Sequence, residues 1–167
     1  ILGEIAGYAL GNDAYHITSP RPDGEGAYRV MQDALEDAGI TPADIGCINA
    51  HGTGTLANDA MEMKALEKLF GDVGHEIALS STKALLGHCM GASGAIELAS
   101  VLLSLTEQKY IPMPRLATRI GDAQNLRLSD ESFTLDAEYA IKNSFAFSGN
   151  SAALVVRRYE KGKERAV

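Results

Sequence analysis

Two short apolar runs, Ile45–Ala50 (IGCINA) and Ile77–Ser80 (IALS), are each followed by a polar, glycine-bearing loop that carries a histidine, and then by a helix-like stretch. Runs this short, bounded by turn residues, suit buried strands. Polar loops at the carboxyl ends of such strands are where α/β proteins build sites. The repeated strand, loop and helix order restricts the chain to a mixed α/β architecture.

The remaining segments fit that class. Ile1–Leu10 is strand-like and breaks at Gly11-Asn12-Asp13, and His16–Gly26, with Pro20 and Pro22, is a connection. Ala27–Ala38 places Val30, Met31, Ala34, Leu35 and Ala38 on one helical stripe that stops at Gly39. Thr41–Asp44 reads as a turn. After the first histidine loop, Asn58 or Asp59 is expected to cap a helix that runs through Phe70, with Met61, Ala65, Leu66 and Leu69 on one face. Gly94–Gln108 is apolar on most sides apart from Glu97, which predicts a helix buried all round with layers on both sides of it. Ile111–Asn125 reads as a long connection. Phe133–Leu135, Tyr139–Phe147 and Ala152–Arg158 are expected strands, the last two joined by a hairpin-like turn at Ser148-Gly149-Asn150, and Glu160–Val167 is a charged tail.

Composition removes several classes of function. A net charge of −7 gives no basic face for a phosphate backbone, so a nucleic-acid partner is disfavoured. No apolar run approaches the roughly 20 residues of a membrane span. The two cysteines, Cys47 and Cys89, lie in apolar, element-like stretches, which argues against a disulfide-stapled secreted module and for the cytoplasm. The chain starts at Ile1 in strand-like sequence without an initiator Met or a leader, the expectation for an interior point of a longer protein.

The chemistry concentrates in two segments. In Asn49-Ala50-His51-Gly52-Thr53-Gly54-Thr55, the glycines let a ligand approach the backbone and the threonine hydroxyls can bond it. A phosphate-gripping loop would need a Gly-Lys-Ser/Thr ending that is absent, and a satisfied core histidine is the bland alternative for His51. His88, in Ser80–Gly94 (SSTKALLGHCMGASG), repeats the arrangement with Lys83 five residues earlier, so one shared cleft is expected. Glu97 in its apolar helix needs a partner, with Lys83 or His88 as candidates, unless it is simply a solvated helix position. Lys83→Ala is therefore expected to strand a buried carboxylate. Cys47, His51, His88 and Cys89 are all potential zinc ligands, but adjacent His88 and Cys89 cannot readily share one tetrahedral ion, and no metal is expected.

The order NAHGTGT, then SSTKALLGHCMGASGAIE, then NSFAFSGN resembles the carboxyl-terminal half of the β-ketoacyl-acyl-carrier-protein synthases, nearest to synthase II, and does so over nearly the whole chain. The resemblance implies half of a thiolase-like fold, a mixed sheet packed between helices. Residues 1–26 would form the last strand of the amino-terminal half and its connection, 27–159 the carboxyl-terminal domain and 160–167 a tail.

By the same resemblance the activity is decarboxylative condensation in fatty-acid or polyketide synthesis. His51 and His88 would be catalytic, donating N–H bonds to the enolate, and Lys83 would complete the set by fixing His and Glu97. Thr53 and Thr55 would hold the phosphopantetheine arm, and Phe147 would gate the acyl pocket. No cofactor is expected beyond the pantetheine of an acyl carrier protein. That carrier, the amino-terminal half with its nucleophilic cysteine, and a second copy in a homodimer are the implied partners. Ala146 and Ser148 depart from the glycines common around that Phe, which restricts rotation there. A non-condensing chain-length-factor-like partner and an acyl-pantetheine binding module are the rival readings.

Overall fold

The computed structural model describes residues 1–114, 116 and 125–160. Six strands form one sheet: β1 (Gly3–Asn12), β2 (Ile45–Asn49), β3 (Ile77–Ser80), β4 (Leu126–Arg127), β5 (Tyr139–Phe145) and β6 (Asn150–Arg158), in the order β1-β6-β5-β2-β3-β4. β5, β2, β3 and β4 run parallel, while at one side β6 pairs antiparallel with β5 and β1 antiparallel with β6. The carboxyl ends of β2, β3 and β5 consequently emerge at the same edge.

Helices cover both faces. α1 (Glu25–Ala38) and α2 (Leu56–Phe70) pack on one face through Val30, Met31, Leu35, Met61, Leu66 and Phe70 against Ile48, Leu79, Ile141 and Val155. On the other, α4 (Ser93–Glu107) places Val101 and Leu105 over Cys47, Ala78, Ala140 and Val156. The short α3 (Lys83–Leu86) and a 3-10 turn at Met90–Ala92 lie between β3 and α4. Strand pleating sends alternate residues to opposite layers, so Ile141 joins the first core and Ala140 the second.

Three expectations need correction. α2 begins at Leu56 after Thr55, not after Asn58 or Asp59, because Asn58 donates to Asp59 Oδ1 and that oxygen accepts the Gly54 N–H, turning both side chains back toward the loop. Phe133–Leu135 is not a strand: Thr134 makes one isolated bridge to Lys109, while Phe133 stacks on Tyr110 at 4.3 Å and Leu135 enters the core. α4 is not buried all round, since Ala95, Ala99 and Leu103 face outward and Leu103 is 57% exposed. The short β4, just past the Ile111–Asn125 connection, is an element the sequence did not announce, and much of that connection and most of the charged tail lie outside the described residues. Among the described residues no helix is long and apolar enough to cross a membrane.

Candidate active site

His51 follows β2 directly, and the backbone around it is held from below. Glu62 of α2 accepts the His51 N–H at Oε1 (2.8 Å) and the Gly52 N–H at Oε2 (2.9 Å), and Asn143 Nδ2 of β5 donates to the same carboxylate at 3.2 Å. Glu62 is fully buried, and burial raises its pKa against the lowering effect of those three bonds. Gly52, at φ +45°, lies so close to the next loop that a Cβ there would sit 2.6 Å from Ser81, whose hydroxyl donates to Gly52 O at 2.9 Å. The expected freedom for ligand approach therefore belongs to Gly54, which has open space around it, while Gly52 serves the packing of two loops. Thr53 and Thr55 pair hydroxyl to hydroxyl at 2.8 Å, and Thr53 and Gly54 line a cavity of about 580 Å³ with Lys83 and Met113.

Lys83 opens α3 beneath His51 and donates to His51 O, to His51 Nδ1 (3.3 Å) and to Glu97 Oε1. An ammonium has no acceptor capacity, so Nδ1 of His51 carries the lone pair and the ring proton sits on Nε2. Burial, then Lys83, His88 and Lys142, push the His51 pKa down to about 3, which keeps this ring neutral at ordinary pH.

His88 sits in the loop between α3 and α4, its ring centroid 5.6 Å from that of His51 at an interplanar angle of 85°. Its Nδ1 accepts the Met90 N–H at 3.1 Å and lies 3.1 Å from Ser93 Oγ. A backbone N–H can only donate, so His88 likewise carries its proton on Nε2. One cleft thus holds both histidines, as anticipated, each with Nδ1 engaged and an N–H on the far side of the ring. Phe145, at the end of β5, packs edge-on against His51 at 5.6 Å.

Glu97 is 2% exposed, which rules out a solvated helix position. Of its two anticipated partners Lys83 is the one engaged. The second is one that sequence reasoning missed: Lys142 of β5, whose Nζ lies 3.0 Å from Glu97 Oε2, an ion contact outside hydrogen-bond alignment, while it donates to Ser144 Oγ. Burial lowers the Lys142 pKa, opposed by Glu97. The expectation that Lys83→Ala strands the carboxylate is corrected accordingly, since Lys142 would still face it. Glu62 was missed as well. Both carried a readable signal, a charge within an apolar stripe (Met61-Glu62-Met63) or an apolar strand (Ala140-Ile141-Lys142), the same signal that exposed Glu97.

Phe147 lies beyond β5 in the turn before β6 and is 70% exposed. Ala146 is ordinary extended backbone, but Ser148 adopts φ +62° and ψ 21°, the left-handed region that costs a residue with a Cβ. Cys47 is buried on the α4 side, with its pKa raised by burial to about 12, an unreactive thiol. Among the described residues no group of three or more His, Cys, Asp or Glu side chains converges as a metal-ligand set.

Comparison with known proteins settles the family. The β-ketoacyl synthase C-terminal domain family matches residues 2–117. The chain belongs to the β-ketoacyl synthases. It is 42% identical over 160 residues to 3-oxoacyl-[acyl-carrier-protein] synthase 2 of Staphylococcus aureus strain COL, covering 96% of this chain and 39% of that protein. Among solved structures, the ketosynthase in a type II polyketide synthase complex with acyl-carrier protein, bound to the hexaketide, superposes with a TM-score of 0.89 at 32% identity, covering 96% of this chain and 39% of that one. The ketosynthase ApeO of Xenorhabdus doucetiae, in complex with its chain length factor, gives 0.80 at 38% identity over 95% of this chain and 40% of that one. The synthase II-like carboxyl-terminal part read from the motifs, with its thiolase-like fold, is borne out. The chain spans well under half the length of these relatives.

Proposed function

We propose that this chain supplies the enolate-stabilising part of a β-ketoacyl-acyl-carrier-protein synthase, which condenses malonyl-carrier protein with an acyl group held as a thioester on a cysteine in the rest of the enzyme. The observation that carries this reading is the pair of imidazoles 5.6 Å apart, each with Nδ1 occupied as an acceptor and Nε2–H left as a donor. In the reaction the C–C bond to the malonyl carboxylate breaks, CO2 leaves, and the electron pair moves onto the thioester carbonyl as an enolate. Donors fixed where that charge develops lower the barrier without reorganising. The enolate carbon then attacks the acyl thioester carbonyl, forming the new C–C bond and releasing the cysteine thiolate.

Lys83 positions His51 and fixes its tautomer; as an ammonium bound to Glu97 it is not a base for the reaction. Thr53 and Thr55 hold the pantetheine arm at the mouth of the cavity, and Phe147 closes the acyl side from its exposed turn. The complete enzyme is read as a cytoplasmic homodimer that takes substrates from acyl carrier protein in fatty-acid or polyketide synthesis.

In the full-length protein, His51→Ala and His88→Ala should each slow CO2 release from malonyl-carrier protein by about 10²–10³, the usual cost of one such donor, while acyl transfer to the cysteine persists. A variant that decarboxylates at the normal rate removes that histidine from the site. Full-length protein that binds acyl carriers but releases no CO2 would instead support a chain-length-factor-like or binding role.

A further inference from the structure

The proposed reaction gives work to Lys83 but none to Lys142, a second lysine buried at the same carboxylate. A buried ammonium is costly and persists where an anion needs it. The charged and titratable groups facing this cluster come from every element around it: His51 after β2, Glu62 and the more peripheral Asp59 from α2, Lys83 from α3, His88 from the following loop, Glu97 from α4 and Lys142 from β5. Glu62 accepts N–H bonds at both oxygens, and Glu97 meets an ammonium at each of its own. Both imidazoles are uncharged by their bonding.

We propose that Lys142 is a balancing positioning residue: with Lys83 it offsets the two buried carboxylates, Glu62 and Glu97, and so keeps the charge beneath the paired imidazoles near zero before substrate arrives. This rests on the reading that the imidazoles face a malonyl thioester. That substrate brings a carboxylate and the reaction develops an enolate, so a net negative floor would oppose both binding and chemistry in a site of low dielectric. Two ammoniums against two carboxylates remove that opposition. One ammonium against two carboxylates would not.

The test uses the full-length protein and two pantetheine probes with an amide in place of the thioester, one malonyl and anionic, the other acetyl and neutral. In Lys142→Met the affinity ratio of malonyl to acetyl probe should fall about tenfold, the scale of one unpaired charge nearby, while the acetyl probe alone changes little. The acid limb of the decarboxylation profile should move to higher pH, because Lys142 is one of the cations that hold the His51 ring deprotonated. Lys142→Met with Glu97→Gln leaves Lys83 against Glu62, one charge of each sign, and should restore both the ratio and the limb.

Equal losses for both probes, or a double variant no better than the single one, would overturn the proposal in favour of plain packing. If the single variant fails to fold, a folded double variant with the original ratio supports charge balance, and an unfolded double variant overturns it. Unaltered full-length protein that binds both probes yet releases no CO2 overturns the functional reading instead, and the ratio still decides the role of Lys142.

Discussion

The two histidine loops bring the same chemical group to the same place by opposite means. The His51 loop is gripped from outside itself: Glu62 takes two of its backbone N–H groups, Lys83 takes its carbonyl and Nδ1, and Ser81 packs onto Gly52. His51 is left 7% exposed. The His88 loop is exposed and is held by its own neighbours, Met90 N–H and Ser93 Oγ. One imidazole is therefore part of the core and depends on distant elements, while the other depends on a few residues of local chain. Position can come from burial or from local bonding, but only the first makes the residue's ionisation a property of the whole fold.

The largest break in that comparison comes from the shared carboxylate. Removing both ammoniums, Lys83→Ala with Lys142→Met, strands Glu97 and should cost about 3–5 kcal/mol, whereas Lys83→Ala alone should cost less because Lys142 still faces Glu97. Urea unfolding of the two full-length variants checks the difference. Next, Glu62→Ala orphans the His51 and Gly52 N–H groups and should cost about 3 kcal/mol. Ser93→Ala on the other loop should cost about 1 kcal/mol or less, because the Met90 bond to His88 remains. Comparable costs for these two would erase the distinction between the loops.

Acid sensitivity sharpens it. The His51 pKa is about 3 in the folded protein against an ordinary value of 6.5, so the unfolded chain gains a proton that the folded one refuses. The stabilisation is full above about pH 6.5 and is lost as pH falls toward about 3, at up to about 1.4 kcal/mol per pH unit. His51→Asn should flatten the stability curve in that window by this slope, as read by thermal unfolding from pH 7 to 4. The smallest effect concerns the third loop at this edge. Ser148→Gly relieves a left-handed residue and should stabilise by about 0.5–1 kcal/mol, reduced slightly by loss of the hydroxyl contact to Ile17 O at 3.5 Å. An unchanged melting temperature would show that this turn stores no strain.

The sequence disclosed most of this framework where burial was one-sided or complete. β2 and β3 were legible as short apolar runs because helices cover both of their faces, and α1 because its stripe is regular and ends at Gly39. Phe133–Leu135 misled because strand-favouring residues there serve a stacked aromatic and a core leucine, with the backbone paired at one point only. α4 misled because apolar composition reports what a helix could bury, and says nothing about whether this chain supplies the cover. At the site, His51, Lys83, His88 and Glu97 were legible through their glycine-flanked loops and one misplaced charge. Lys142 and Glu62 carry the same misplaced-charge signal, but their partners are not written beside them, since Lys142 meets Glu97 and Glu62 meets Asn143 only when a strand and a helix far apart in sequence come together.

Lys142 and Asn143 are neighbours on β5, yet one reaches Glu97 in the α4 layer and the other reaches Glu62 in the α2 layer. The pleat sends two consecutive side chains through opposite faces of the sheet, each to its own acid. A single residue inserted or deleted within β5 would exchange their addresses, setting an amide against Glu97 and an ammonium between Glu62 and Met31 of α1. For anyone grafting tags or swapping loops, Tyr139–Phe145 is therefore a stretch of chain with no tolerance in length.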